Sequence, residues 1–492
     1  MHDIGDRIAK LSPQKLKILE KKLRESGRAG ISMPIMPRSR TTKLFPLSFA
    51  QQRLWFLEQL NPGSATYNIA GAVRFKGHID ISIMNRSLQQ VVDRHEILRT
   101  IITVKDGQPQ QLLVETKIEV EVIDLKSCSS DEIKERVCRE AKRPFDLMAG
   151  PLLGLALITI NEDEGILLLS MHHIISDGWS LSIFLEETMA FYNALLTGTN
   201  TNPRKLSIQY ADYACWQREQ FAGKALDKEL NYWRKQLDNA PSIIDLPFDY
   251  QRPTVQTING AVFSFIISRE ELNRLNELAR ENGATLFMIL LTVYCIILYR
   301  YTGQEDIMVG TPVAGRNRSE LEGLIGLFVN TVVLSADMKG NPTFLELLKR
   351  IIKVSIEAFA NQNLPLERIV DELKPERDMS YSPIFQVMFI MQNTPMTAIK
   401  LPGAELEPME LDLGTAKFDL TLTFIESDDG CKGVFEYNTD LFHPSTIARL
   451  VDHFALLLSG ILVNPQSRIS DYTLLTRKEK ELFDTWNDTR TP

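Results

Sequence analysis

Apolar and polar positions follow two rhythms along this chain, one helical and one alternating, and the switching between them predicts an α/β protein. LSFAQQRLWFLEQL (47–60) is amphipathic at helical spacing and ends in Asn-Pro-Gly, a turn signal. AGAVRFKG (70–77) predicts a strand, and SLQQVVDRHEILRT (87–100) continues as a helix. PLLGLALITI (151–160) and GILLLSMHHI (165–174) flank Asn-Glu-Asp-Glu and predict a hairpin. A second set of elements begins near residue 260. AVFSFII is a strand, Ser268 with Glu271 forms a capping box for the next helix, and Asn282–Gly283 ends it. TLFMILLTVYCIILY (285–299) is short for a membrane span and predicts a fully buried helix. DIMVGTPVAGR (306–316) predicts a strand running into a loop. Later strands are expected at 384–391, 417–425 and 432–437, with a final helix at 444–461.

These rhythms divide the chain. Ser12–Pro13 followed by Leu16, Leu19 and Leu23 predicts a short N-terminal helix within residues 1–30, and glycine, proline and arginine then mark a linker over 31–44. A first lobe is expected over 45–222 and a second over 223–476, with a polar linker over 477–492. No sequence repeat relates the two halves. There is no GxGxxG or other Gly-rich phosphate loop, which argues against nucleotide binding.

Composition adds limits. A chain of 492 residues with 44% hydrophobic and 24% charged residues can build two sizeable cores. Five scattered cysteines without CxxC spacing argue for a reducing cytoplasm, against a disulfide framework and against a zinc site. The N-terminus lacks a signal-peptide core, so neither secretion nor a membrane span is expected. The net charge of −8 is uneven. Residues 1–43 hold eleven Lys/Arg against four acids, a net +7, leaving −15 on the body. On charge alone that basic head could contact nucleic acid, and an acidic protein partner fits equally well; the partners expected below include no nucleic acid.

Chemistry concentrates in LLLSMHHIISDGWSL (167–181), which holds two of only seven histidines. If 166–173 is a strand, His172 and His173 point to opposite faces. They cannot then chelate one metal, and one histidine faces a cleft while the other packs behind it. A structural pair and a catalytic histidine with a supporting partner both stay open. Ser170, Ser176 and Ser180 offer hydroxyls, but none sits in a G-x-S-x-G elbow, which disfavours a covalent serine mechanism. Asp177–Gly178 suits a tight turn.

MHHIISDGWS matches the HHxxxDG signature and resembles the condensation domains of nonribosomal peptide synthetases, relatives of chloramphenicol acetyltransferase. Further blocks similar to that family follow in order: SFAQQRLWFL (48–57), RHEILRT (94–100), YADYACWQRE (210–219), IGLFVNT (325–331), NQNLPLE (361–367) and RDMSYSPIFQ (377–386). The resemblance covers about 45–475. Asn363 and Leu366 stand where Asp and Phe are usual, and Tyr381–Ser382 where Arg–Asn is common. WNDT (486–489) resembles the linker leading into an adenylation domain, and QQRLWFL resembles the subtype joining an L-donor to an L-acceptor.

The resemblance implies two acetyltransferase-like lobes in a V-shaped pseudo-dimer with an active-site tunnel between them. It implies peptide-bond formation between thioesters carried on the phosphopantetheine arms of an upstream donor and a downstream acceptor carrier domain, with no cofactor or metal bound by the chain itself. His173 is expected to face the tunnel as base or positioning group, supported by His172. Gly178 N–H is a candidate oxyanion donor. Asp177 is expected in a buried ion pair with Arg94, Arg99 or Arg316. Ser176, Trp179 and Asn330 are candidate tunnel residues, Asn330 equally a strand-end hydrogen-bonding group. Trp55, Tyr213 and Trp216 are expected in the core, and Arg53 is either an interlobe contact or a solvated charge. The N-terminal segment is either a cap packed on the body or a docking element for an upstream synthase component. Two alternatives compete: a catalytically silent recruitment platform, disfavoured by the intact His173 and Gly178, and an epimerisation-type relative, disfavoured by WNDT.

Overall fold

The computed structural model describes residues 34–487, apart from 202, 222–223, 239, 242, 376–377, 393–400 and 428. The expected N-terminal docking helix and the end of the tail lie outside the described residues. The first lobe contains β1 (Leu44–Pro46), α1 (Phe49–Leu60), β2 (Asn68–Gly77), α2 (Ile81–Arg94), β3 (Thr100–Lys105), β4 (Gln108–Leu113), β5 (Glu121–Asp124), α3 (Ser130–Ala141), β6 (Leu153–Thr159), β7 (Glu164–His172), α4 (Gly178–Thr197) and α5 (Tyr210–Gln220). The rest runs α6 (Lys224–Gln236), β8 (Gly260–Ser268), α7 (Arg269–Glu281), α8 (Leu286–Thr302), β9 (Asp306–Val313), α9 (Ser319–Glu322), β10 (Asn330–Asp337) and α10 (Phe344–Ala360). It continues α11 (Leu366–Leu373), β11 (Val387–Gln392), β12 (Ala404–Met409), β13 (Leu420–Ser427), β14 (Gly430–Asn438), α12 (Pro444–Val463) and α13 (Arg477–Asn487).

Each lobe is a sheet covered by helices. The second-lobe sheet has the order β10-β9-β11-β13-β14-β8, and the first-lobe sheet the order β12-β2-β7-β6-β5. β6 and β7 form the expected antiparallel hairpin, with Leu153 opposite Met171 and Thr159 opposite Gly165. Their apolar runs are nearly continuous because both faces are covered. The capping box at Ser268 and Glu271 starts α7. α8 is buried from Met288 to Leu298 and ends at Gly303 in the left-handed region. α12 is long and apolar enough to cross a membrane, but half of that span is buried, and nine of its residues pack inward.

The boundary expected at 222/223 is crossed twice. β12 leaves the second-lobe sequence and pairs antiparallel with β2, Ala404 opposite Gly77 and Met409 opposite Ala72. Leu321, Leu324, Ile325, Leu327 and Phe328 join the first-lobe core. A Cβ at Gly326 would come within 2.0 Å of the Tyr210 ring, so glycine is what lets that segment lie against α5. In return Phe49 packs in the second-lobe core. Lobe membership therefore follows burial and pairing, which sequence order alone does not reveal.

Both expected linkers are fastened. Arg40 donates to Asp212 and Glu96, holding residues 38–43 on α5. At the other end the tail forms α13, where Glu479 sits 3.0 Å from His453 of α12.

Candidate active site

β7 carries the histidine pair to the end of the first-lobe sheet. The strand stops at His172, and His173 begins a one-turn 3-10 segment, His173–Ile175. The expectation of a strand over 166–173 is thus one residue too long. The two side chains still take separate surroundings, because the turn, and not strand alternation, redirects the second.

His172 is 1% exposed and caps that turn, its Nδ1 accepting from the Ile174 amide at 3.1 Å. Accepting there places the proton on Nε2, which is buried without a partner among the described residues. Burial, reinforced by the neighbouring His173 and Lys417, pushes its pKa down to about 3. The imidazole stays neutral. Phe145 packs edge-on to the ring at 6.4 Å.

His173 is held differently. Its backbone amide donates to the Tyr67 carbonyl at 2.7 Å, and Nδ1 lies 2.8 Å from the Ser176 carbonyl oxygen. A carbonyl can only accept, so Nδ1 carries the proton and Nε2 keeps a free lone pair. Burial and the positive charge of Lys417 push this group well below the ordinary histidine range, against the opposing pull of Asp177. The result is a neutral, half-buried imidazole with one fixed tautomer and an unspent acceptor nitrogen.

Asp177 turns away from that nitrogen. It is the N-cap of α4, accepting from Ser180 N at 2.8 Å, while its other oxygen accepts from Phe328 N at 2.9 Å. Its ion-pair partner is Arg316, at 3.2 Å, with both side chains buried. Arg316 also donates to the carbonyls of Leu321 and Leu324 and to Ser180 Oγ, and lies 4.1 Å over the Phe328 ring. Of the three candidate partners, Arg94 is corrected: it pairs with Glu187 at 3.0 Å on α4, because α2 packs against that helix away from the motif. Arg99 closes the 3-10 turn Glu96–Arg99 after α2 and does not bond Asp177, whose oxygens are taken.

Gly178 opens α4, where the first amides have no intrahelical acceptor. A Cβ there would meet no atom within 4 Å, so protein packing does not demand glycine. Beside it, Trp179 is 40% exposed and donates to the Glu322 carbonyl at 3.1 Å, spanning the lobes. Ser176 is fully buried and contributes its carbonyl, not its hydroxyl, to the site. The Ser180 hydroxyl is locked among Asp177, Gly326 and Arg316, and that of Ser170 is buried and unpartnered among the described residues. No serine here is poised as a nucleophile.

Of the two readings of Asn330, the structure shows the hydrogen-bonding one, at the start of β10. Its amide donates to the carbonyls of Gln362 and Leu364, at 2.8 Å each, and its oxygen accepts from Leu366 N. It holds the loop before α11, beside a 40 Å³ cavity lined by Tyr213, Trp216, Phe328 and Asn363. Trp55 and Tyr213 are buried in the core and Trp216 packs against it. Arg53 reaches Glu367 of α11 at 3.7 Å, an interlobe contact.

Two residues beside His173 carried no sequence signal: Tyr67, in a turn, and Lys417, at the start of an expected strand. Lys417 Nζ lies 5.2 Å from the Tyr67 ring centroid, across the lobes. Among the described residues no cluster of three or more His, Cys, Asp or Glu could hold a metal ion.

A family model for the condensation domain matches residues 41–483. One of the linear gramicidin synthase subunits of Brevibacillus parabrevis is 47% identical over 466 residues, 93% of this chain and 9% of that protein. Another of the subunits of the same synthase is 45% identical over 470 residues, 94% of this chain and 6% of its own length. The chain thus spans under a tenth of these relatives. Among solved structures, the X-domain from teicoplanin biosynthesis superposes with a TM-score of 0.82 at 24% identity, covering 90% of this chain and all of that one. The likeness concerns the fold, two α/β lobes in a V-shaped pseudo-dimer with a tunnel between them.

Proposed function

The chain belongs to the condensation-domain family, and on that premise we propose that it joins a donor acyl or peptidyl thioester to the amine of an acceptor aminoacyl thioester. Both substrates arrive on phosphopantetheine arms of carrier domains, from opposite ends of the tunnel. An adenylation domain following the chain would supply the acceptor, in keeping with WNDT at 486–489. The QQRLWFL opening supports an L-donor and an L-acceptor.

One observation carries the catalytic reading: His173 has its Nδ1 proton tied to the Ser176 carbonyl and its Nε2 free. The acceptor nitrogen attacks the thioester carbonyl carbon, forming the C–N bond while the oxygen takes the negative charge. The nitrogen's surplus proton passes to Nε2. Collapse of the intermediate breaks the C–S bond, and the proton leaves with the thiolate as a thiol. The N–H of Gly178, at the positive end of a helix, is the donor we assign to the oxyanion. A free α-amine has a pKa of about 7.7–8.0, so part of it is already neutral near pH 7. Base assistance therefore contributes about 10²–10⁴-fold, and alignment of the two tethered reactants supplies much of the rest.

Reconstitution with loaded donor and acceptor carrier domains tests this. Wild type should form the amide, and His173→Ala should slow single-turnover formation by about 10²–10⁴-fold with unchanged melting. Equal rates for the two proteins would remove His173 from the chemistry. No product from any loaded pair would leave the fold as a recruitment platform.

A further inference from the structure

Beside the histidine pair the second lobe places a charge that the mechanism above does not use. Lys417 lies just before β13, in the second lobe, and its ammonium crosses to the ring of Tyr67 in the first. Tyr67 is the residue whose carbonyl holds the His173 amide at 2.7 Å. The Lys417 backbone is fixed at both ends of its peptide: its carbonyl accepts from Gln256 Nε2 at 3.1 Å, and its N–H bonds Glu436 of β14. Among the described residues its Nζ donates no hydrogen bond, so the ammonium's donors are unspent.

We propose that Lys417 is a positioning residue: from the second lobe it sets a positive charge against the Tyr67–His173 wall, so that a substrate amine docks on His173 only in its neutral, nucleophilic form. The inference rests on the amide-forming reading. The surrounding charges agree with it. Asp177, the N-cap of α4, is the acid near His173, but its charge is matched by Arg316. His172, behind, is neutral. Arg53 of α1 adds positive potential at Lys417 and Tyr67, while Glu436 opposes it, with Asp412 nearby. Lys417 is itself lowered by burial and by Arg53 and held up by Glu436, and it in turn disfavours a proton on His173. A protonated amine entering the same wall meets the same repulsion. It sheds that first proton to solvent before attack, instead of waiting for the roughly one in ten that is neutral at pH 7 in free solution; the second proton, freed as the C–N bond forms, is the one His173 Nε2 takes and hands on to the thiolate.

The test is a pH profile of single-turnover amide formation with loaded carriers, for wild type, Lys417→Met and Lys417→Arg. Lys417→Met should be about tenfold slower near pH 7, and the deficit should close to within about twofold by pH 9, where the free amine is already neutral. Lys417→Arg should stay within about threefold of wild type throughout, since it keeps the charge. A deficit independent of pH, or no deficit in a variant that melts normally, overturns the proposal. If wild type itself forms no amide, the functional reading fails separately. The His173 ring titration, followed by NMR on the unloaded chain, then decides the matter: a higher titration point in Lys417→Met upholds the electrostatic role, and an unchanged one ends it.

Discussion

Two charge systems join the lobes, one buried and one half-buried, and they are built to opposite specifications. At Asp177–Arg316 each carboxylate oxygen and both terminal guanidinium nitrogens are spent on protein: Ser180, Phe328 N, and the carbonyls of Leu321 and Leu324. At Lys417 the backbone is fixed, yet the ammonium has only a ring face and a nearby carboxylate. Only the buried Arg316 Nε lacks a partner among the described residues; with both carboxylate oxygens and both terminal nitrogens committed to protein, the pair is architecture. An ion with donors in hand acts on whatever enters. The histidines repeat the contrast on a smaller scale, His172 closing a turn and His173 keeping Nε2 free.

The largest expected effect breaks the architectural member. Asp177→Ala leaves Arg316 charged and desolvated, and should cost about 3–5 kcal/mol in urea unfolding. Lys417→Met should change stability by less than about 1 kcal/mol, because the charge it removes is half-buried and incompletely paired. A stable but inactive Asp177→Ala protein would mean that Asp177 acts on the reaction directly. Asn330 is the neutral counterpart of that pair. Asn330→Ala orphans the carbonyls of Gln362 and Leu364 and the Leu366 amide, for about 1–3 kcal/mol. Hydrogen exchange should rise at 362–366. Protection equal to wild type would show that these bonds do not hold the loop.

The histidine pair predicts a pH dependence of stability. His172 titrates near 6.5 when unfolded and is pushed down to about 3 when folded; His173 is depressed in the same sense. Below about pH 6.5 the unfolded chain binds the extra protons, so stability is full above that value and falls as pH drops towards the folded values. The loss should reach about 1–2 kcal/mol between pH 6.5 and pH 5.5. Melting at the two pH values, compared with His172→Gln, measures it. An equally acid-sensitive His172→Gln would assign the effect elsewhere.

Much of this was legible from local pattern. The β6–β7 hairpin, the Ser268–Glu271 cap and the buried helix after Thr285 follow from periodicity and capping chemistry, which depend on neighbours a few residues away. The motif blocks likewise placed His173 and a buried Asp177 pair. Arg94 and Arg99 could not be separated from Arg316 by sequence, since all three are arginines near apolar positions and only packing chooses among them. Asn330 was ambiguous for the same reason: an amide at a strand start can face a cleft or a loop.

The sequence alone determined the order of elements, the absence of a phosphate loop and the concentration of chemistry at 167–181, because those depend on residue type and short spacing. Tertiary structure decided what crosses between lobes. β12 completes a sheet begun more than 300 residues earlier, Phe328 packs in the first-lobe core, and Lys417 reaches Tyr67. Contacts of that separation are selected by burial and charge compensation in the assembled chain, and no local pattern encodes them.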